Sequence, residues 1–126
     1  MLVLDSGAFT RLSARTKTAL SLVRGFHEAG LWPPLVPTMV LVESLRGDGV
    51  RDANANRLLK TCIVQAEVSP SIARRAAELR RKAGTGSAVE ALVVALAEPG
   101  GTVLTGDQAD LEALAAHAER VTVELI

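Results

Sequence analysis

Four carboxylates stand where this sequence could do chemistry: Asp5, Glu43, Glu90 and Asp107. Asp5 closes the apolar run Leu2-Val3-Leu4 and precedes Ser6-Gly7-Ala8, so taken alone it reads as a helix cap. Glu43 lies in Met39-Val40-Leu41-Val42-Glu43-Ser44-Leu45, apolar nearly all round, with Met39 and Val40 one helical turn before it. A carboxylate over apolar surface needs a cation, a metal or a proton, because an unpaired buried charge is very costly. Arg46, three residues on, is its ordinary ion-pair candidate. Glu90 follows Ser87 at the spacing of a capping box. The apolar run 91–96 behind it predicts a buried helix, with this acid at the entrance to the core. Asp107 follows Thr105-Gly106 and reads as the cap of the next helix. Asp110 sits in that helix's first turn, where acids suit the dipole. Gathered in one cleft, these groups repel one another unless a cation lies between them. All-oxygen donors suit Mg²⁺ or Mn²⁺. A divalent metal on such a cluster hydrolyses phosphodiesters, activating a water and offsetting charge on the phosphate.

The elements that must position these acids alternate helix with short apolar strand. Residues 2–4 read as a fully buried strand, expected at the centre of a parallel sheet. Helices are predicted over 7–12 and 16–29, the second ended by Gly30. Leu31-Trp32-Pro33-Pro34 is a loop, because two prolines forbid regular structure there. Leu35-Val36 is a strand, and Thr38 is expected to cap a helix over 39–46 that Gly47 ends. A polar-faced helix over 48–60 and a strand over 63–68 follow. Ser69-Pro70 starts a helix to about residue 82, with Ser as cap and Pro at its first position. Ser87 caps 88–97, Pro99-Gly100-Gly101 turns into a strand over 102–105, and a helix over 108–116 leads to a last strand over 121–125.

This alternation is the signature of βαβ units. It predicts one domain over 1–126, a three-layer α/β/α architecture with a central, mainly parallel sheet of about five short strands. Helices in such a sheet begin at the carboxyl edge of the strands, which is also where ligands bind. By that rule Asp5, Glu90 and Asp107 fall on one edge, with Glu43 a turn into a helix that starts there.

Composition narrows the partners. Fourteen basic residues balance fourteen acidic ones, so nucleic-acid binding would need local basic patches or a bound metal. With two Phe, one Trp and no Tyr, an aromatic platform for stacked bases is not expected. A hydrophobic share of 48% and mean hydropathy of +0.26 describe a core-rich globular chain. No run reaches the roughly 20 apolar residues of a membrane helix, and Asp5 interrupts the only stretch resembling a signal sequence. A single cysteine, Cys62, forms no internal disulfide and fits a reducing compartment. A cytoplasmic location is expected.

Among other candidates, Arg74, Arg75, Arg80, Arg81 and Lys82 form the strongest basic cluster, by default a solvated helix face and alternatively an RNA-backbone contact. Arg11, Arg15 and Lys17 could flank the cleft, and Arg46 and Arg51 lie near it in sequence. His27 and His117 sit late in helices, where they suit the dipole. Cys62 reads as core, and Trp32 as core cover or part of a partner surface.

The acid-bearing segments also carry a family resemblance. Leu2-Val3-Leu4-Asp5-Ser6, Val36-Pro37-Thr38-Met39-Val40-Leu41-Val42-Glu43, Ser87-Ala88-Val89-Glu90-Ala91-Leu92-Val93-Val94 and Thr102-Val103-Leu104-Thr105-Gly106-Asp107 resemble, in order, the four motifs of PIN-domain ribonucleases. Within them the chain is most similar to the VapC toxins of bacterial toxin–antitoxin pairs. The resemblance implies a Mg²⁺- or Mn²⁺-dependent endoribonuclease acting on structured RNA, a homodimer, and neutralisation by a VapB-type antitoxin. It assigns Asp5, Glu43 and Asp107 to the metal, and Thr105 to the hydroxyl position two residues before the last acid. Asp110 could match an occasional extra acid. Glu90 departs from the family pattern, which has Asp there; the extra methylene moves the carboxylate by more than about 1 Å, and Mg²⁺ demands near-ideal octahedral geometry. Glu90 is expected to contribute directly or through water. The rival expectation is an inactive or weak module that binds RNA or an antitoxin without efficient cleavage, and a third makes all four acids plain caps and surface residues.

Overall fold

Leu2, Val3 and Leu4 form β1 (Leu2–Leu4), with all three side chains buried. β1 is the central strand of a five-stranded, wholly parallel sheet in the computed structural model, which describes residues 1–126. β2 (Leu35–Pro37) lies on one side and β4 (Thr102–Thr105) on the other, with β3 (Ile63–Gln65) and β5 (Thr122–Leu125) at the edges. The order is β3-β2-β1-β4-β5, with Val3 opposite both Leu35 and Val103. A strand covered on both faces needs apolar residues without alternation, and the middle of the sheet supplies them.

The connections settle the layers. α1 (Ser6–Ser13) and α2 (Lys17–Glu28) join β1 to β2; α3 (Thr38–Ser44) and α4 (Ala53–Leu59) join β2 to β3. α5 (Pro70–Ala83) and α6 (Ala88–Ala97) carry the chain back across to β4, and α7 (Ala109–Ala115) joins β4 to β5. Parallel crossovers are right-handed. Steps one way across the sheet therefore put α1–α4 on one face, and steps the other way put α5–α7 on the opposite face. Packing agrees: α1 touches α2, α3 and α4, while α5, α6 and α7 touch one another. This is the three-layer α/β architecture expected from the sequence. Its core runs from Phe9 and Leu12 of α1, through β1 and β4, to Leu79, Val93, Val94, Leu111 and Leu114. No helix is long and apolar enough to cross a membrane.

Several boundaries differ from expectation, each for a local reason. Thr38 does not cap α3. It is the helix's first residue after Pro37, and its hydroxyl donates to the Gln65 and Ala66 carbonyls at the end of β3. The helix expected over 48–60 begins only at Ala53, because Asp52 has another use. Its buried carboxylate accepts from the backbone N–H groups of Arg46 (2.9 Å), Gly47 (2.9 Å) and Asp48 (3.2 Å), knotting the α3–α4 turn. These bonds, led by that from Arg46, hold its pKa below the ordinary 3.8. A lowered carboxylate pKa stabilises the fold above the unfolded value, and that contribution is lost as pH falls through the folded one. Asp52→Ala should lower the thermal midpoint at pH 7, and the deficit should shrink steadily as melts are repeated below pH 4.

β3 is short and exposed, because it is an edge strand. Cys62, just before it, is half-buried against the core, and burial pushes its thiol up to about 11, which leaves it unreactive at neutral pH.

Candidate functional site

The strand order reverses between β1 and β4: the chain leaves β1 toward β2 and returns, after β3, on the other side. Such a switch point opens a crevice beyond the carboxyl ends of the two strands. Asp5 is the first residue past β1, and its N–H still pairs with the Leu104 carbonyl (3.1 Å). Its Oδ1 accepts from Ala8 N–H (2.8 Å) and caps α1. Its Oδ2 meets the hydroxyl of Thr105, the fully buried last residue of β4. The same hydroxyl accepts from Asp107 N–H (2.9 Å) and lies 2.7 Å from the Asp107 carbonyl oxygen. One hydroxyl proton thus serves two acceptors, and Thr105 ties the loops after β1 and β4 together. Those loops also touch through glycine. A Cβ on Gly7 would come within 3.1 Å of Gly106 N, so the close approach needs the missing side chain.

Glu90 enters from the start of α6, where the expected capping box is present. Ser87 Oγ accepts from Glu90 N–H (3.1 Å), and Glu90 Oε1 accepts from Ser87 N–H (3.2 Å). Asp107 is not the cap residue of α7, which Gln108 leads; its Oδ1 takes only a long bond from Ala109 N–H (3.3 Å). Asp110 Oδ1 accepts from the Thr85 hydroxyl (2.7 Å).

Glu43 corrects the sequence expectation. It is exposed rather than laid over apolar surface, and Val42 beside it is 83% exposed. α3 packs on α1 through one face only, so its apolar run is not a buried run, and Glu43 needs no partner. Arg46 forms no ion pair with it.

All five acids nevertheless line one cavity of about 380 Å³ at the switch point, together with Ser6, Gly7 and Gly106, and with Val89 and Val93 as its only apolar lining. None of the chain's ion pairs involves them. The Asp5 pKa is raised above 3.8, chiefly by burial and further by the charge of Glu90, against hydrogen bonds from Ala8, Thr105 and Gly7. The donor set is all oxygen, anionic and without internal counter-charge, which fits a hard divalent cation. The carboxylates are not drawn into a ready-made cage: no three His, Cys, Asp or Glu side chains converge closely enough to hold an ion as they stand. The physical reason is on hand, since each of Asp5, Glu90, Asp107 and Asp110 is turned to a backbone or hydroxyl donor.

Sequence reasoning missed Ser6, Gly7 and Gly106. Their signal was a small residue after each strand-end acid or hydroxyl, in Asp5-Ser6-Gly7 and Thr105-Gly106. The histidines take no part: neither lines the cavity, and His27 stacks on Trp32 at 5.3 Å. Arg11 donates to the Ile126 carbonyl (2.7 Å), and Arg15, Lys17, Arg46 and Arg51 do not line the cleft.

Set against protein-family models the chain matches none, and it matches no curated protein sequence.

Proposed function

We propose that this chain is a metal-dependent endoribonuclease of PIN type, a VapC-like toxin acting on structured RNA. The observation that carries the reading is the convergence of five carboxylates from four separate segments on one cavity, with no cation of the protein to offset them. The resemblance of the four ordered motifs supports the choice of RNA, the homodimer and the VapB-type antitoxin, and the single Cys62 supports a cytoplasmic setting.

Asp5, Glu43, Glu90 and Asp107 would hold Mg²⁺ or Mn²⁺, with Asp110 at the rim. When bound, the cation supplies positive charge to the scissile phosphate and makes a water more acidic. The Glu43 carboxylate accepts no hydrogen bond within the chain and that of Asp107 only a long one, so either is free to orient the attacking water and take its proton. The water oxygen bonds to phosphorus, the P–O bond to the leaving nucleoside breaks, and the proton passes to that oxygen. Thr105 is a positioning residue: it fixes Asp5 and the Asp107 backbone relative to each other.

The test is cleavage of structured RNA by purified chain, with Mg²⁺ and Mn²⁺ titrated separately and thermal melts alongside. Cleavage should require metal, and Mn²⁺ should serve at least as well as Mg²⁺ because Glu90 is a methylene longer than Asp. Metal at 100 times its Kd should add about 2.7 kcal/mol to stability. No cleavage and no midpoint shift with either ion would falsify the reading.

One observation favours a weaker activity: the capping box already holds Glu90. If it withholds that carboxylate, the chain binds RNA or an antitoxin but cuts poorly, and RNA shifts on a gel without fragmenting. Glu90→Asp would then raise cleavage.

A further inference from the structure

Beside the acidic cleft lies a second cavity of opposite character. It is an open hollow of about 390 Å³ between the last turn of α5 and the start of α6, lined by exposed Arg80, Arg81, Gly84 and Thr85 and by Gly86, with no apolar residue and no carboxylate. The basic run of α5 divides here. Arg75 is paired to Glu78 and Glu98, and Lys82 to Glu78, whereas Arg80 and Arg81 have no acidic partner. Arg80 is oriented by donating Nε to the Gly86 carbonyl (3.2 Å), which leaves its two terminal nitrogens unbonded. The Thr85 and Gly86 amides donate to no group of the chain. Gly86 sits at φ +94°, where a Cβ would fall 2.7 Å from Leu114 Cδ1, so this turn of the loop requires glycine. The terminal nitrogens of Arg80 and the guanidinium of Arg81, on a loop whose Thr85 and Gly86 amides are unpaired, form a receptor for a doubly accepting anion such as a phosphodiester.

The two cavities share a wall. Thr85 lines the basic one, Asp110 lines the acidic one, and their side chains are bonded at 2.7 Å. A cleft lined by five carboxylates repels a polyanion, so a strand that enters it needs cationic purchase next door.

We infer that the Arg80–Arg81 pocket is a phosphate subsite that grips the RNA backbone next to the scissile bond. The inference rests on the proposed reading that RNA runs through the acidic cleft. The arginines set affinity and register and take no part in bond breaking.

The test is binding of a fluorescent single-stranded RNA to Asp5→Asn protein across a salt series, with and without Arg80→Gln plus Arg81→Gln. Arg74→Gln, which removes charge from the same helix outside the pocket, is the control. The double change should weaken binding about tenfold or more, as expected when at least one charge-assisted hydrogen bond is removed. It should also lower the log–log salt slope by about 0.7 for each phosphate that the protein ceases to neutralise. Arg81→Gln alone, which leaves the Arg80–Gly86 bond intact, should give part of both effects. On the cleaving chain the double change should raise KM and leave kcat unchanged. Equal weakening by the control overturns the subsite, since the effect is then general charge. So does unchanged affinity with a lower thermal midpoint, in which case the arginines only complement the α5 dipole. If the chain never cuts RNA but the double change still weakens binding selectively, the subsite stands and the hydrolase reading falls. If it cuts normally and the double change alters nothing, the reverse holds.

Discussion

Asp5→Asn should abolish metal-dependent RNA cleavage and, at the same time, raise the thermal midpoint of the metal-free protein. The two effects have one cause. Asp5 is held in a half-buried position beside Glu90, and its pKa is raised, so the fold pays to keep it ionised. Asparagine removes the charge yet keeps an oxygen for Ala8 N–H, and its amide can donate to Thr105 Oγ, freeing that hydroxyl's proton for the Asp107 carbonyl. The gain is a rise in thermal midpoint whose sign follows from the raised pKa. Its sign with pH follows from linkage. A carboxylate whose folded pKa is raised costs nothing below its unfolded pKa and costs most above the folded one. The advantage of Asn should therefore be full at pH 7 and disappear as melts approach pH 4. Cleavage should fall by more than about a hundredfold, since even residues behind metal ligands cost 10–100-fold. Added Mn²⁺ should raise the midpoint of the native chain and not of the variant. A variant that cuts RNA at full rate would remove Asp5 from the site.

Thr105→Val should be damaging in both respects. Thr105 is fully buried, and its hydroxyl serves Asp5 and both backbone groups of Asp107. Valine fills the space but leaves the Asp107 N–H and Asp5 Oδ2 without that partner. Both groups lie at the cleft rather than in the core, so the loss should be at the low end, about 1–2 kcal/mol, and the midpoint should drop by about 3–10 °C. Cleavage should fall about 10–100-fold. A purely structural role would end there. A positioning role adds a signature: with one lowering hydrogen bond gone, the Asp5 pKa rises further, and the acid limb of the cleavage–pH profile moves to higher pH. Thr105→Ser, which keeps the hydroxyl, should restore the profile even where it does not fully restore stability.

Where local chemistry decided the structure, the sequence was legible. The Ser87 and Ser69 caps, Pro70 at the start of α5, and the β4 span over 102–105 follow from side chains bonding to backbone within three residues of themselves or from short apolar runs. The alternation of helix with short apolar strand, and the mainly parallel sheet it implies, required only burial on both faces. The direction rule for helices in such a sheet then brought Asp5, Glu90 and Asp107 to one edge without any contact being known.

What required the tertiary structure was every feature in which a residue answers to a partner far along the chain. Glu43 reads as buried in its own helix, yet α3 offers the core a single face, and the acid stands in water at the mouth of the cleft. Thr38 reads as a cap, but its hydroxyl belongs to the end of β3. Asp52 is a nearer case: it reads as part of a helix and instead gathers three amides from four to six residues before it. The contact of Gly7 with Gly106, the Thr105 bridge to Asp5, and the Thr85–Asp110 bond that joins an acidic cavity to a basic one all link segments tens of residues apart. The sequence determined which residues carry charge and which element begins with each. Only the crossing of the chain at the β1–β4 switch point decided that five carboxylates share one cavity, because separation in space there is set by strand order, which no local pattern encodes.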